Sequence, residues 1–251
     1  MILITRPAPE GETLCQLLNK QGFETFWLPT LQFAPPPDPE NAKQALSQPN
    51  HYHWLIFISP QAVRYGLPLL PPAHTLSCRI AAIGKGTAHL LTQNSYPVTT
   101  CPHSDRASDA LLALPDFNDV ANQRIALIKG RGGRKHLSHI LTARGALVTD
   151  IPVYQRIRPT PPNLLTCQTL IQEKKITALV TTSGEGLLNL FKLLEKKTHS
   201  LLLRVPLVVI SPRLARLGKR LQFRRILLAS GPGGNAIMSA LKTQPMSGKS
   251  G

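Results

Sequence analysis

Cysteine pairs at metal-binding spacing are missing from this chain. Its four cysteines, Cys15, Cys78, Cys101 and Cys167, form no C-x-x-C pair, and none has a histidine at ligand distance in sequence. That argues against zinc, and no metal is expected. Scattered thiols suit a reducing compartment, so a cytoplasmic protein is expected. Acid is scarce as well, with 13 Asp and Glu against 29 Lys and Arg. So few carboxylates give poor support to paired-carboxylate catalysis or a Mg²⁺ site. Aromatics are 5%, and the basic residues read as spread along the chain without interleaved aromatics. Nucleic acid is therefore the second-ranked partner class. No apolar run approaches the roughly 18 residues of a membrane span. The opening MILITRPAPEGE reads as a strand start, not a signal peptide, and no membrane partner is expected.

Familiar catalytic signatures are absent too. No G-x-G-x-x-G follows a strand with an acid in place behind it. Gly130-Arg131-Gly132-Gly133 resembles a phosphate turn but lacks the Walker spacing. The tail Ser247-Gly248-Lys249-Ser250 has no glycine at Thr243 and no strand before it. There is no Ser-His-Asp set. His136 and His139 share one helix with no carboxylate partner and read as solvated surface.

What is present is a core and a charge. The chain has 251 residues, 42% of them hydrophobic, and a formal net charge of +16 with pI near 10.3. That length accommodates two domains, and the charge reads either as a generally basic surface with no specific partner or as the match to an anionic one: nucleic acid, an anionic membrane surface, or a polycarboxylate or phosphate ligand. Apolar strands alternate with leucine-rich helices across short turns. Ile2–Thr5, Phe23–Leu28, Trp54–Ile58, Arg79–Ile83, Val98–Cys101, Arg124–Ile128, Ala146–Ile151, Ala178–Thr182, Pro206–Ile210 and Arg225–Ala229 read as strands. WLIFI is apolar throughout, as a parallel strand covered on both faces is. The pattern predicts parallel α/β sheets. Residues 244–251 are polar and small and are expected to be disordered.

The chain also repeats itself. WLIFISPQAVRYGLPLL from Trp54 matches ALVTTSGEGLLNLFKLL from Ala178, with Ser59 on Ser183. RIAAIGKGTAHLL from Arg79 matches PLVVISPRLARLG from Pro206, with Gly84 on Ser211. Ile2–Pro29 matches Ala126–Pro152, glycine for glycine at Gly22 and Gly145. The expected organisation is a discontinuous domain, 1–34 plus 157–243, with a second domain, 35–156, inserted into it. Two antiparallel connections, Thr30–Pro35 and Val153–Arg158, would form a hinge beside a cleft.

Ligands of open α/β sheets sit beyond the carboxyl ends of the strands. The turns there carry Arg6, Ser59, Gly84, Lys85, Thr87, Arg131, Ser183, Ser211 and Arg213. Each turn opens a helix, so it offers free backbone N–H groups. Taken singly, these serines and glycines read first as ordinary helix caps. Recurrence of one turn type in both halves favours an anion site, and these nine residues are the candidate substrate-binding set. Tyr154, in PVYQR on the return connection, is either a packing aromatic or a phenol facing the cleft as a proton donor.

Together the stretches ILITRP, FISPQAV, AAIGKGTAHLL, ALIKGRGGRKHLSHILTARGALVTDIPVYQR, TTSGEGLLNL and VVISPRLARL resemble the uroporphyrinogen-III synthase family, in that family's order and over almost the full chain. The resemblance implies two similar flavodoxin- or Rossmann-like parallel-sheet βα domains joined by a two-stranded antiparallel hinge. It implies dehydration and closure of linear hydroxymethylbilane to uroporphyrinogen III with inversion of the last pyrrole ring, without a cofactor. Tyr154 would be the donor to the leaving hydroxyl. It implies a monomer in tetrapyrrole synthesis, with transient contact to the preceding pathway enzyme. Two departures stand out. Ile58 stands where the family has threonine, and ISPRLA has no counterpart of Thr87, which argues against obligatory catalysts at those two positions. A hinged two-domain anion-binding module without catalysis is the alternative.

Overall fold

The computed structural model describes residues 1–102, 107–133 and 135–243; the expected disorder of 244–251 lies outside them. The chain opens with strand β1 (Ile2–Ile4), helix α1 (Glu10–Lys20) and strand β2 (Thr25–Trp27). The middle follows as β3 (Gln32–Ala34), α2 (Pro39–Ser47), β4 (Trp54–Phe57), α3 (Pro60–Gly66), β5 (Arg79–Ala82), α4 (Lys85–Gln93), α5 (Ala107–Leu112), β6 (Arg124–Gly130), α6 (His136–Ala143) and β7 (Leu147–Ile157). The return comprises α7 (Leu164–Gln172), β8 (Ala178–Val180), α8 (Gly184–Leu193), α9 (Lys196–Leu202), β9 (Leu207–Val209), α10 (Pro212–Arg220), β10 (Ile226–Leu228) and α11 (Gly234–Lys242).

Two compact units result. One is Met1–Gln32 with the chain from Ile157 onward; the other is Phe33–Arg156. The first holds a five-stranded sheet in the order β10-β9-β8-β1-β2, parallel throughout. The second holds the order β3-β7-β6-β4-β5, with β7, β6, β4 and β5 parallel. Read along the sheets, β2-β1-β8-β9 corresponds to β7-β6-β4-β5, the pairing that the repeat predicts. Gly22 and Gly145, matched in that repeat, have φ of 81° and 85° and close α1 and α6 in the left-handed conformation that glycine adopts without a Cβ penalty.

Both sheets are covered on both faces. Leu3, Leu179, Leu207 and Val209 pack on one side of the first sheet, and Ile2, Ile4, Val180 and Val208 on the other. In the second, Leu55, Phe57, Ala126 and Ile128 face one core, and Trp54, Ile56, Ile125 and Leu127 face the other. Two-sided burial is why these strands read as unbroken apolar runs.

Two expectations need correction, and one helix was not expected. Val98–Cys101 is not a strand but an isolated bridge between Ala81 and Thr100. The Thr99 hydroxyl oxygen accepts the Ile80 N–H at 3.2 Å, and Pro102 has no N–H to extend a ladder. The Ala146–Ile151 strand and the return connection are one continuous 11-residue strand, β7, with β3 as its hydrogen-bonded neighbour. Helix α9, in KKTHSLL, carries no sequence signal that separates it from its surroundings.

Cys167 is fully buried, and burial pushes its thiol up from the ordinary 9.0 to about 12. The folded state thus holds its proton more tightly than the unfolded state does. The stability this confers is complete below pH 9 and is lost as pH rises through 9 towards 12. Native chain at pH 8 should leave Cys167 unalkylated by iodoacetamide, and the residue should react only at the rate of global unfolding. Mass spectrometry of the labelled peptides measures this.

Candidate active site

In the first unit, β9, β8 and β1 end side by side, so Ser211, Ser183 and Arg6 follow one another along the carboxyl edge of the sheet. Ser183 Oγ accepts the Gly186 N–H at 2.9 Å, and Ser211 Oγ accepts the Leu214 N–H at 3.3 Å. Both are N-caps in extended conformation, as the sequence allows. Capping uses only the oxygen. Among the described residues neither hydroxyl hydrogen has an acceptor, so each remains available to an anion. Ser183→Ala should cost about 1 kcal/mol by loss of the cap, readable as a lower urea midpoint.

Arg6 is fixed from both ends. Its Nη1 donates to the Pro232 carbonyl at 3.0 Å, and its own carbonyl accepts the Trp27 indole N–H at 2.9 Å. Burial pushes the guanidinium below its ordinary pKa, and Glu10 opposes that shift. Arg213 is exposed at the start of α10 and has no carboxylate partner among the described residues. Behind this edge lies a buried polar network with no signature in the sequence. Thr30 Oγ1 donates to the Gly186 carbonyl at 2.8 Å, and Asn189 Nδ2 donates to the Thr30 carbonyl at 2.9 Å. It fixes the first turn of α8, and so Ser183.

The second unit repeats the edge. β6, β4 and β5 end side by side and deliver Arg131, Ser59 and Gly84 in that order. Gly84 caps α4 with extended backbone; Lys85 is exposed, whereas Thr87 is 3% exposed. Ser59 Oγ accepts the Ala62 N–H at 3.1 Å and shares a second hydrogen bond, also 3.1 Å, with the Tyr154 hydroxyl.

Tyr154 itself is 3% exposed. Its ring packs edge-on against Phe33 at 5.5 Å and beside Tyr65 at 5.9 Å. It reaches Ser59 because β7 is irregular: Lys129 pairs with Pro152, but Gly130 pairs with Tyr154, leaving Val153 as the extra residue. The ring lies directly over Gly130, where a Cβ would fall 2.6 Å from its Cζ. The Arg131 N–H donates to the Tyr154 carbonyl at 2.7 Å. Tyr154, Gly130, Arg131 and Ser59 are thus one packed group, while Lys85 and Thr87 stand on the neighbouring turn.

One expectation is overturned here. His136 does have a carboxylate partner, since its Nε2 lies 2.8 Å from Asp109 Oδ1 across the start of α6 and α5. The two are 27 residues apart and half-exposed or more, so the pair contributes little to stability. Among the described residues there is no cluster of three or more His, Cys, Asp or Glu placed to hold a metal.

A family model described as uroporphyrinogen-III synthase HemD matches residues 12–239. The chain belongs to the uroporphyrinogen-III synthase family. It is 31% identical to the uroporphyrinogen-III synthase of Escherichia coli K12 over 246 residues, covering 96% of this chain and 99% of that one. It is 32% identical to the Salmonella typhimurium LT2 protein over the same length and shares. A mutant of the Thermus thermophilus synthase superposes with a TM-score of 0.64 at 18% identity, over 97% of this chain and 99% of that one. The Helicobacter pylori 26695 synthetase gives 0.57 at 16%, again over 97% and 99%. These two likenesses bear on the fold, which is the family's.

Proposed function

We propose that this protein closes linear hydroxymethylbilane into uroporphyrinogen III, as an enzyme of tetrapyrrole and heme biosynthesis. Family membership over residues 12–239, with relatives at 31–32% identity along nearly the whole chain, carries this reading. In the reaction, the hydroxymethyl C–O bond breaks and water leaves. The substituted α-carbon of the last ring attacks the resulting azafulvene carbon to give a spiro intermediate. The bond from that α-carbon to the neighbouring methylene breaks, the methylene bonds the ring's other α-carbon, and the hydrogen there leaves as a proton. The ring is thereby inverted and the net loss is water. Bond making and loss of water are redox-neutral overall, so no cofactor is invoked.

The substrate carries eight carboxylates. The turns at Arg6, Ser183, Ser211 and Arg213, and those at Ser59, Gly84, Lys85, Thr87 and Arg131, supply hydroxyl, cationic and backbone N–H donors for them. Their task is to hold a flexible chain in the conformer that closes with inversion, which is work of positioning. Tyr154 and Ser59 share one hydrogen bond. With Ser59 donating to the Tyr154 oxygen, the phenol keeps its own O–H free, and this proton goes to the leaving hydroxyl. The same reading takes 1–34 with 157–243 as one domain and 35–156 as its insert. It describes a cytoplasmic monomer that receives a labile substrate from the preceding enzyme by transient contact. No helix among the described residues is long and apolar enough to cross a membrane.

Catalysis and mere anion binding separate in one experiment. Hydroxymethylbilane generated enzymatically is followed in the presence of substoichiometric protein. An enzyme consumes many equivalents faster than the spontaneous background. A binding module protects at most one equivalent and slows closure.

A further inference from the structure

The net charge is not evenly placed. The first 195 residues carry 18 Lys and Arg against 13 Asp and Glu, whereas the 56 residues after Glu195 carry 11 against none. The even spread of basic residues read from sequence overlooked where the acids stop. On α10, Arg213, Arg216 and Arg220 fall at i, i+3 and i+7, hence on one stripe, with Lys219 beside it. The opposite side of α10 is apolar and packs inward through Leu214 and Leu217. Arg204 and the pair Arg224–Arg225 occupy the turns before β9 and β10. A hydrogen bond of 3.1 Å from the Arg224 N–H to the Leu203 carbonyl ties those turns together. All seven cations are exposed, and none has a carboxylate partner among the described residues. Like charges at this spacing repel one another, a cost that an anionic partner removes.

Beside the stripe, α8 and α10 enclose a cavity of about 430 Å³. Leu188 and Leu217 line its wall, Lys192, Arg213 and Arg220 stand around them, and Glu185 is the acid present. Leu188 is 43% exposed. An exposed leucine set among arginines suits the interface of a bilayer, where apolar and cationic side chains are both favoured. It does not suit nucleic acid. The single aromatic after Glu195 is Phe223, which is 6% exposed and offers no stacking platform.

We propose that this face of the first unit docks the protein peripherally on an anionic phospholipid bilayer, a membrane partner that the lack of an apolar span in the sequence did not lead one to expect. Contact is electrostatic, through α10 and the Arg204 and Arg224–Arg225 turns, with Leu188 entering the headgroup layer.

The test is co-sedimentation of the full chain with vesicles. Phosphatidylcholine vesicles containing phosphatidylglycerol should bind it and pure phosphatidylcholine vesicles should not, with binding falling as salt rises. The triple variant Arg216→Gln, Lys219→Gln, Arg220→Gln should bind about tenfold more weakly or worse. Its thermal unfolding should remain cooperative, and its cyclising activity on soluble substrate should persist. The matching triple change to arginine or lysine (Arg216→Lys, Lys219→Arg, Arg220→Lys) should keep binding, because charge and not fork geometry is at work. Leu188→Ser should weaken binding to vesicles. The proposal fails if phosphatidylglycerol confers no binding at low salt, or if the glutamine variant binds as wild type does. It fails equally if inorganic phosphate at matched ionic strength displaces the protein, or if duplex DNA is bound more tightly than the vesicles.

Discussion

Replacing Tyr154 by phenylalanine is expected to lower turnover about a hundredfold, at the lower end of what a positioned proton donor contributes. The change removes only the hydroxyl. The ring keeps its contacts with Phe33 and Tyr65 and its place over Gly130. Ser59 keeps the Ala62 N–H and loses one partner. The stability loss should therefore be about 1 kcal/mol, the net value of one hydrogen bond. The two readouts discriminate. A purely structural tyrosine would lose stability without losing rate in folded protein. Ser59→Ala, which removes the other half of the pair, should slow turnover to a similar degree and also cost the α3 cap. If Tyr154→Phe turns over hydroxymethylbilane at the wild-type rate, the phenol takes no part in the proton transfer.

Gly11→Ala is expected to destabilise the first unit by about 1–3 kcal/mol and to weaken substrate binding. Alanine is normally the better helix residue by about 1 kcal/mol, so propensity alone predicts the opposite sign. Packing decides. A Cβ at Gly11 would fall 2.5 Å from the Arg6 carbonyl and against the Trp27 indole. The indole N–H donates to that same carbonyl at 2.9 Å. The obstruction is backbone, so it cannot swing aside, and relief requires moving the β1–α1 turn that carries Arg6. Urea unfolding reads the stability, and KM for hydroxymethylbilane reads the displaced arginine. A stabilised protein with unchanged KM would show that the turn is free to shift.

Much of this architecture is legible in the sequence, for physical reasons. WLIFI and ALV are apolar throughout because each strand is covered on both faces. Ser59, Ser183 and Ser211 announce helix starts because an extended serine is a good acceptor for the N–H three residues on. Gly22 and Gly145 mark helix ends because both must be left-handed. What depends on long-range geometry is not legible. Tyr154 and Val153 are consecutive and both buried, which breaks the two-residue alternation of a strand. The cause is a register shift opposite Gly130 that no local pattern signals. The Asp109–His136 pair forms across 27 residues. The Thr30–Asn189 hydrogen bond spans 159. The strand expected at Val98–Cys101 had the right residues, but the Thr99 hydroxyl takes the Ile80 N–H and Pro102 has no N–H to offer, so pairing stops at the Ala81–Thr100 bridge. The charge of the last 56 residues was legible throughout and disappears only when averaged over the chain.

The isomer of the product tests the central claim most directly. Hydroxymethylbilane is released by its own synthase in the presence and absence of this protein. The porphyrinogens are oxidised, and the type I and type III isomers are resolved chromatographically. The account predicts type III as the dominant product at catalytic protein concentrations. Type I alone, in the amount that unassisted closure gives, would contradict it.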